Sequence, residues 1–460
     1  MDASSRLIID LGAVADNVRA MRHWLPSQTG FAAVVKADAY GLGAVPVART
    51  VARAGASLLA VYDAAEAVEL FEAGVPARVM ILGPLLRDVV DDWGDDSADG
   101  PVTAAAAAGR IHLTVHGNRE LDVAGALAAR GARAVPVHVE VDTGMSRGGC
   151  PPTETPRLID RILRSPDLAL AGVFTHMAEP DDAESVDEQL EIFRAVTSAL
   201  PPLPGSCRIH VANTRTVLRR PRLAADLVRC GQALSGFGAV EASVDGTLSG
   251  PAQPRLKRAV RWVSRIARVR EIEPGTTVGY GRRWTARRRT RLGLIPVGYA
   301  DGYPRPLAET DAGGASIARV GVGIDANTGI ASGSASASAS ADGPRAYAPV
   351  VGAISMDQLT IDLTDVADAD AQVGAAVELF GHRPDAPNDI AALAHAAGTT
   401  HYELLCRLGP RVARAYAEAP AAGAAANGPL VETRATVRPR RSRGAARPSR
   451  TGTEGSMRTP

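Results

Sequence analysis

The regular alternation of short apolar runs with amphipathic segments between residues 30 and 240 most constrains the fold. Eight apolar runs are predicted as strands, at residues 32–36, 57–62, 78–82, 111–115, 135–141, 168–175, 208–211 and 226–229. Intervening segments such as 63–73, 118–130, 156–164 and 186–200 have the apolar spacing typical of helices. Repeated strand–helix units indicate a parallel sheet. Eight units predict an α/β fold, a (β/α)8 barrel of the TIM type over residues 11–245.

The pattern changes after residue 245. Strands are predicted at 259–271, 291–297, 317–322, 349–354, 359–363 and 375–380, and helical spacing returns only at 390–397 and 402–408. This predicts a mainly β C-terminal domain over residues 246–418, which the apolar run within residues 1–10 is expected to join. Residues 330–345 hold a Ser-Ala repeat, expected to be an inserted surface loop. The Arg/Pro-rich residues 419–460 are expected to form a disordered tail.

Composition excludes several classes of function. The net charge is +1, so the charge balance indicates neither nucleic acid nor an anionic membrane as a partner. No apolar stretch is long enough to span a bilayer, and no leader segment precedes the first apolar run. The four cysteines lack metal-ligand spacing, which predicts reduced thiols and no metal site. A cytoplasmic protein is therefore expected.

Lysine occurs only twice in this chain, at Lys36 and Lys257, while arginine supplies the other basic side chains. Lys36 ends the first predicted strand and is followed by a glycine-containing segment. Arginine would supply positive charge equally well, but only lysine readily loses its proton and attacks a carbonyl. Lys36 is therefore predicted to form a Schiff base with pyridoxal phosphate (PLP). The alternative is an ordinary cation at the end of a strand.

Further polar residues follow the C-terminal ends of other predicted barrel strands, where the active sites of such barrels lie. They are Arg147, His176, Asn213, Thr214, Arg229 and Gly231. The short polar side chains and the glycine N–H would suit a phosphate group. Taken alone, His176 is also compatible with a hydrogen-bonded core histidine, and Arg229 with a surface ion pair. Their joint position at one rim favours a ligand site.

Several tyrosines of the second domain lie in turns flanked by glycine, among them Tyr280, Tyr299 and Tyr303. A tyrosine between glycines is poorly placed to fill a core. It is well placed to reach a ligand or another subunit. The alternative is that these side chains cap the β domain.

Nine segments together resemble the alanine racemase family of fold-type III PLP enzymes. They are AVVKADAYGLG, VDTGMSRGG, FTHMAEPDD, HVANT, VRCGQALSGFG, VGYGRRW, VGYADGYPR, ISMDQL and YELLCRLGPRV, in the family's order between residues 8 and 416. The resemblance implies a PLP-dependent racemase that interconverts L- and D-alanine. It also implies a head-to-tail homodimer with shared active sites.

The resemblance also implies residue roles. Lys36 and Tyr280 of the partner subunit would be the two acid/base groups. Tyr40, Asn213, Thr214 and Gly231 would hold the phosphate of PLP, Arg229 would bond its ring nitrogen, and His176 would stack beside the ring. Arg147, Met356, Tyr299 and Asp357 would contact the substrate or line its entrance.

The chain departs from the family pattern at several positions. Glu140 stands where many members carry a carbamylated lysine, and we hypothesise that its charge orients Arg147 instead. Thr214 replaces a common serine, and Pro410 replaces a tyrosine near the phosphate. These changes leave open a racemase of broader or different specificity, for example for serine. A non-catalytic PLP-binding protein is the alternative from another class. D-Alanine would serve peptidoglycan or another product that contains D-amino acids.

Overall fold

A computed structural model describes residues 4–85, 101–129, 134–238, 253–308, 318–324, 343–381, 383–417 and 431–433. The first strand, β1 (Ser5–Asp10), belongs to the C-terminal domain. The barrel strands follow it: β2 (Gly30–Val34), β3 (Leu58–Val61), β4 (Val79–Ile81), β5 (Ile111–Val115), β6 (Val135–Glu140), β7 (Leu168–Phe174), β8 (Arg208–His210) and β9 (Leu227–Cys230).

These eight strands form one parallel sheet in the order β8-β7-β6-β5-β4-β3-β2-β9. Between β8 and β9 the ring is completed by single backbone hydrogen bonds, from Asp226 N–H to Ile209 O and from Arg229 N–H to Ala212 O, each 3.0 Å. The predicted (β/α)8 barrel is confirmed. The first barrel strand ends at Val34, two residues before Lys36, so Lys36 lies in the following turn and not in the strand.

Helices surround the barrel: α1 (Leu11–Trp24), α2 (Lys36–Gly41), α3 (Ala44–Arg53), α4 (Ala64–Glu72), α5 (Pro101–Ala107), α6 (Asn118–Ala129), α7 (Thr155–Arg164), α8 (Ala183–Ser198) and α9 (Thr214–Arg219). Four of them begin after an Asp or Asn side chain that accepts a backbone N–H of the first turn, namely Asp10, Asp63, Asp182 and Asn213. Such caps satisfy donors that have no partner within the helix, so these residues fix where the helices begin.

Every second residue of a barrel strand points into the barrel, and the interior has an apolar half and a polar half. One half is apolar and is formed by Ala32, Val34, Leu58, Ala60, Met80, Phe174 and Leu227. In the other half, the inward positions of β5, β6, β8 and β9 carry His112, His138, His210 and Arg229. The residues between them face the helices and form the main core. Polar groups therefore occupy half of the barrel interior.

The C-terminal domain contains three sheets. Its strands are β10 (Val260–Arg265), β11 (Arg268–Ile272), β12 (Thr277–Val278), β13 (Trp284–Thr285), β14 (Thr290–Ile295), β15 (Arg319–Val322), β16 (Ala346–Pro349), β17 (Leu359–Asp362), β18 (Ala376–Phe380), β19 (Ala413–Ala417) and β20 (Val431–Thr433). The sheet orders are β16-β15-β18-β10-β1-β19-β20, β11-β14-β17 and β12-β13. Two helices, α10 (Ile390–Ala396) and α11 (His401–Cys406), precede β19.

Two predicted strands of this domain were wrong in detail. The single strand expected over 259–271 is divided, because Ile266 bonds Ala375 of one sheet and Ala267 bonds Leu294 of another. The strand expected over 349–354 ends at Pro349, and Gly352, with a φ of 72°, turns the chain away.

Several further expectations concern residues that are mostly outside the described part. Of the expected Ser-Ala loop, only residues 343–345 are described. Of the tail expected to be disordered, Val431–Thr433 instead form β20, antiparallel to β19, and its other residues lie outside the described ranges. Within the described ranges, none of the helices has the length and apolar character needed to cross a membrane.

Candidate active site

A cavity of about 660 Å³ opens at the C-terminal ends of the barrel strands. Its volume is in the range of pockets that hold small ligands. Eight residues predicted from the sequence line it: Lys36, Tyr40, Arg147, His176, Asn213, Thr214, Arg229 and Gly231. Tyr402 and Cys406 of α11 also line it, so the second domain of the same chain forms part of the wall.

Lys36 begins α2, which is a single left-handed turn and not a regular helix. The four residues after Lys36, from Ala37 to Tyr40, have φ angles between 52° and 59°. Left-handed backbone costs roughly 1–2 kcal/mol per residue outside glycine, so this turn needs external support. The Glu66 carboxylate provides it by accepting the N–H groups of Ala37 at 2.6 Å and of Tyr62 at 2.7 Å. The supported turn brings Lys36 and Tyr40 to the same cavity.

The Lys36 amine is electrostatically suited to act as a nucleophile. Burial lowers the pKa of Lys36 below its usual range, and the positive charge of Arg147 lowers it further. The Glu66 carboxylate opposes this shift. A lowered pKa increases the neutral fraction of the amine, and the neutral amine is the form that attacks a carbonyl.

Arg229 is buried and held by several acceptors. Its Nη1 donates to His210 Nδ1 at 2.9 Å and to the His210 carbonyl at 3.0 Å, and its Nη2 donates to the Thr175 carbonyl at 2.7 Å. Burial lowers the pKa of Arg229 to about 10, so the group remains charged at neutral pH. Its Nε–H makes no hydrogen bond to the described residues. Because Arg229 lines the cavity, we assign that donor to a ligand there.

His176 lies beside Arg229, with 3.4 Å between Arg229 Nη2 and His176 Nδ1. Burial lowers the pKa of His176 to about 3, and the charges of Arg229 and Arg147 contribute to the shift. The imidazole is therefore neutral at physiological pH. A neutral ring can present a lone pair to the guanidinium, whereas a charged ring would repel it.

Three of the residues that line the cavity, Tyr40, Thr214 and Gly231, are suited to an anion. The Tyr40 hydroxyl lies so close to Gly231 that any side chain at this position would overlap with it. Thr214 is buried, and its hydroxyl lies beside the Cys230 thiol without a hydrogen bond of ordinary geometry. A buried hydroxyl without such a bond is available to a ligand. Tyr40, Thr214 and the accessible backbone of Gly231 together fit a phosphate group.

Two expected contacts differ in the structure. Asn213 lines the cavity, but its Oδ1 accepts the N–H of Thr216 at 3.0 Å and so caps α9. Glu140 was expected to orient Arg147, yet among the described residues no hydrogen bond or ion pair joins them. The Glu140 carboxylate instead lies 3.2 Å from His116 Nδ1. The same Nδ1 accepts the N–H of Gly149 at 2.9 Å, so Glu140 lies beside this imidazole without receiving a proton from that nitrogen.

The other four predicted site residues, Tyr280, Tyr299, Met356 and Asp357, belong to the second domain and do not line the cavity. Tyr280, Tyr299 and Met356 are 75%, 44% and 53% exposed, which is unusual for large apolar side chains. The turns that carry Tyr299 and Met356 are joined, because the N–H of Tyr299 donates to Ser355 O at 3.1 Å and that of Ala300 donates to Met356 O at 3.0 Å.

Arg411 links the same two turns through side chains. Its Nε lies 2.8 Å from the buried Asp301 carboxylate, and its Nη1 donates to Asp357 at 2.7 Å. Asp301 also accepts the N–H of Gly298 at 2.9 Å. Backbone bonds and Arg411 thus hold the turns of Tyr299 and Met356 together.

Comparison with known proteins identifies the family. The model of the alanine racemase N-terminal domain matches residues 9–238, and that of the alanine racemase C-terminal domain matches residues 259–416. This chain belongs to the alanine racemase family. The family is PLP-dependent and interconverts L- and D-alanine, so the chain is an amino-acid racemase, an isomerase.

Individual relatives agree with this assignment. The chain is 35% identical to an alanine racemase of Geobacillus stearothermophilus over 89% of this chain and 92% of the relative. It is 33% identical to one of Mycolicibacterium smegmatis over 90% and 95%. Among solved structures, the alanine racemase of Streptomyces coelicolor A3(2) aligns with a TM-score of 0.70 at 32% identity, covering 90% of this chain and 98% of that one.

The residues present fit the cofactor of the alanine racemase family. One solved relative, the alanine racemase of Bartonella henselae, carries covalently bound PLP; it is 27% identical with a TM-score of 0.68, covering 90% of this chain and 99% of that one. In this chain, the Lys36 amine with its lowered pKa, the partner-free Nε–H of Arg229 and the Thr214 hydroxyl border one cavity. The amine suits the aldehyde of PLP, the Nε–H suits its ring nitrogen, and the hydroxyl suits its phosphate.

Sequence reasoning missed three residues beside this site: Glu66, His138 and His210. Glu66 lies on α4, and its contact with the turn after Lys36 depends on how helix and strand pack. The two histidines had a usable signal, because each lies at an inward position of a barrel strand, between residues that face the helices. A histidine at such a position is buried and must be hydrogen-bonded.

Proposed function

We propose that this chain interconverts L- and D-alanine in a homodimer, with each active site formed by one barrel cavity and Tyr280 of the partner subunit. The supporting observation is the division of the site residues within one chain. Lys36 lies in the barrel cavity, while Tyr280 is mostly exposed and does not line it. Two incomplete groups on one chain are completed if two copies pair head to tail.

The reaction requires two acid/base groups on opposite faces of the substrate. One removes the proton from Cα, and the other delivers a proton to the opposite side. We assign these roles to Lys36 Nζ and to Tyr280 Oη of the partner subunit. The lowered pKa of Lys36 supports this, because it brings the amine closer to the range in which it can accept and return a proton.

The remaining residues bind and orient. Bound PLP supplies the electron sink that stabilises negative charge at Cα. Tyr40, Thr214 and Gly231 hold the phosphate, with Asn213 shaping this wall as the cap of α9. Arg229 would donate to the ring nitrogen through Nε–H, and because an arginine does not give up its proton, that nitrogen would stay unprotonated. His176 would pack beside the ring.

Substrate contacts come from both chains in this proposal. Arg147 lines the cavity and attracts the substrate carboxylate. The partner's face contributes Met356, Tyr299 and Asp357 at the entrance, held in place by Arg411. The four free cysteines agree with a reducing cytoplasm. The D-alanine formed there would serve peptidoglycan or another product built from D-amino acids.

The test is complementation between Lys36→Ala and Tyr280→Phe subunits. Each homodimer should lose nearly all activity, because each lacks one of the two bases. Mixed subunits form heterodimers that contain one intact site, so unfolding and refolding them together should restore about a quarter of the native activity per chain. Racemisation is followed by the loss of circular dichroism from L-alanine in deuterated water.

Exchange at Cα gives an independent readout for the same variants. Tyr280→Phe should exchange the proton on one face without inverting the centre. A mixture no more active than its separate homodimers would refute the shared site. L-Serine assayed in parallel tests the broader specificity that the sequence left open.

A further inference from the structure

Three histidines cross the polar half of the barrel interior and end at Arg229. Arg229 Nη1 lies 2.9 Å from His210 Nδ1, and His210 Nε2 lies 3.0 Å from His138 Nδ1. His138 Nε2 in turn lies 2.9 Å from His112 Nδ1. These contacts join strands β9, β8, β6 and β5 in one hydrogen-bonded chain.

The guanidinium sets the direction of every bond in this chain. Arginine has only N–H donors, so His210 Nδ1 must accept and the proton of His210 must be on Nε2. That proton is donated to His138 Nδ1, which places the proton of His138 on Nε2 as well. His138 Nε2–H is then the donor to His112 Nδ1, so the proton of His112 is also on Nε2. All three rings are therefore neutral Nε2–H tautomers.

Burial and neighbouring charges agree with neutral rings. His138 and His210 are 2% and 0% exposed. Burial holds the pKa of each well below its usual range, and the Arg229 charge lowers both further. Burial also lowers the pKa of His112 to about 4, with a contribution from Arg78. An imidazolium in the middle of the chain would turn an acceptor into a donor and oppose Arg229.

Gly172 provides the space that the chain needs. A Cβ atom at this position would overlap with His138 Nδ1 and would lie 2.9 Å from His210 Nε2, the two atoms that share one hydrogen bond. The backbone of Gly172 does not have a positive φ. The Arg208 carbonyl oxygen would also lie 2.9 Å from that Cβ, so the glycine is required by the two histidines and by the neighbouring strand, and not by its own conformation.

We propose that His112, His138 and His210 are positioning residues that fix the orientation of Arg229 through a single tautomeric arrangement, so that Arg229 Nε–H points at the ring nitrogen of the cofactor. The inference rests on the proposed function for its link to PLP. The tautomers themselves do not depend on PLP. Four N–H groups of Arg229 face His210, Thr175 and His176, which leaves Nε–H for the cavity.

The direct test is nitrogen NMR of the full chain with ¹⁵N-labelled histidine rings, near neutral pH, with and without PLP. Three rings should carry the proton on Nε2 in both samples, assigned by their loss in single variants. A Nδ1–H tautomer or a charged imidazolium at position 112, 138 or 210 would overturn the proposal.

Two pairs of variants test the effect on the cofactor. His112→Leu removes the acceptor at the far end, whereas His112→Asn keeps an acceptor near the position of Nδ1. Gly172→Ala blocks the His138–His210 contact, and Gly125→Ala, which adds a methyl group in open space on α6, is its control. His112→Leu and Gly172→Ala should raise the dissociation constant of PLP about threefold or more and shift its absorption band.

His112→Asn should return the dissociation constant to within about twofold of the native value, as expected if one acceptor restores the chain. The contrary result is that the variants lose folding stability but keep the native absorption band and PLP affinity. That result would show that the histidines have only a structural role, and it would overturn the proposal. Correct tautomers in a protein that does not bind PLP would instead refute the proposed function and leave the tautomer chain intact.

Discussion

At the level of single residues, the shape of the cavity depends on positions where a side chain packs directly against the backbone of another residue. Gly231 is the clearest case in the ligand site, because Tyr40 lies directly over it. Its neighbour Cys230 ends β9, so the glycine cannot move away without disturbing the barrel. The absence of a side chain at position 231 therefore sets the position of the Tyr40 hydroxyl, which is assigned to the phosphate.

We expect Gly231→Ala to weaken PLP binding about tenfold, which corresponds to about 1.4 kcal/mol. The added methyl group overlaps with the Tyr40 hydroxyl and displaces it from the phosphate site. The measurement is a titration of cofactor-free protein with PLP, followed by absorbance. Gly205→Ala is the matched control, because that position is exposed and open. Equal affinities for the two variants would contradict the assignment.

At the level of elements, the turn at Lys36–Gly41 depends on a helix that is distant in sequence. Its backbone has a positive φ at four residues other than glycine, Ala37 to Tyr40, as well as at Gly41. Bonds within the turn, such as that from Gly43 N–H to the Asp38 carbonyl at 2.9 Å, support part of this conformation. Glu66 on α4 accepts one N–H from this turn and one from the residue after β3, Tyr62, and so joins three elements at the site.

Replacing Glu66 with Ala should lower the free energy of unfolding by about 1–3 kcal/mol, because two backbone donors lose their acceptor. PLP affinity should fall as well, since Lys36 and Tyr40 lie on the released turn. Glu66→Gln keeps one acceptor oxygen, so its free energy of unfolding and its PLP affinity should lie between those of Glu66→Ala and of the native chain. Urea unfolding and PLP titration give the two values. Glu188→Ala, on an exposed face of α8, should change neither.

At the level of the whole molecule, buried neutral histidines link stability to pH. Burial lowers the pKa of His112 and His401 to about 4 and that of His176 to about 3. It also lowers the pKa of His138 and His210. In the unfolded chain these rings take up protons near their ordinary pKa of about 6.5. Below that pH the unfolded state therefore binds more protons than the folded state.

The folded state is therefore stabilised above a pH of about 6.5, and its free energy of unfolding decreases as the pH falls toward 4. Each such histidine should contribute a loss of about 1.4 kcal/mol per pH unit in that interval. Urea unfolding of cofactor-free protein across this range measures the slope. His112→Asn removes one of these titrating groups and should reduce the slope by about 1.4 kcal/mol per pH unit. Stability that stays level between neutral pH and pH 5 would exclude buried neutral histidines.

The amino-acid sequence by itself determined the barrel and the cofactor chemistry. Apolar periodicity predicts eight strand–helix units because each strand must bury its side chains. Lys36 stands out because no other residue type combines its charge with an amine able to attack a carbonyl. The rim residues follow from the strand ends, since parallel strands bring those ends to one face.

Only the tertiary structure decided which of these residues meet. His112, His138 and His210 come from three strands, and their contacts depend on the stagger of those strands and on the space beside Gly172. That Tyr280 does not line the cavity of Lys36 is likewise not readable from the sequence. Local sequence carries periodicity, but contacts between distant segments are set by register and packing, which periodicity alone does not specify.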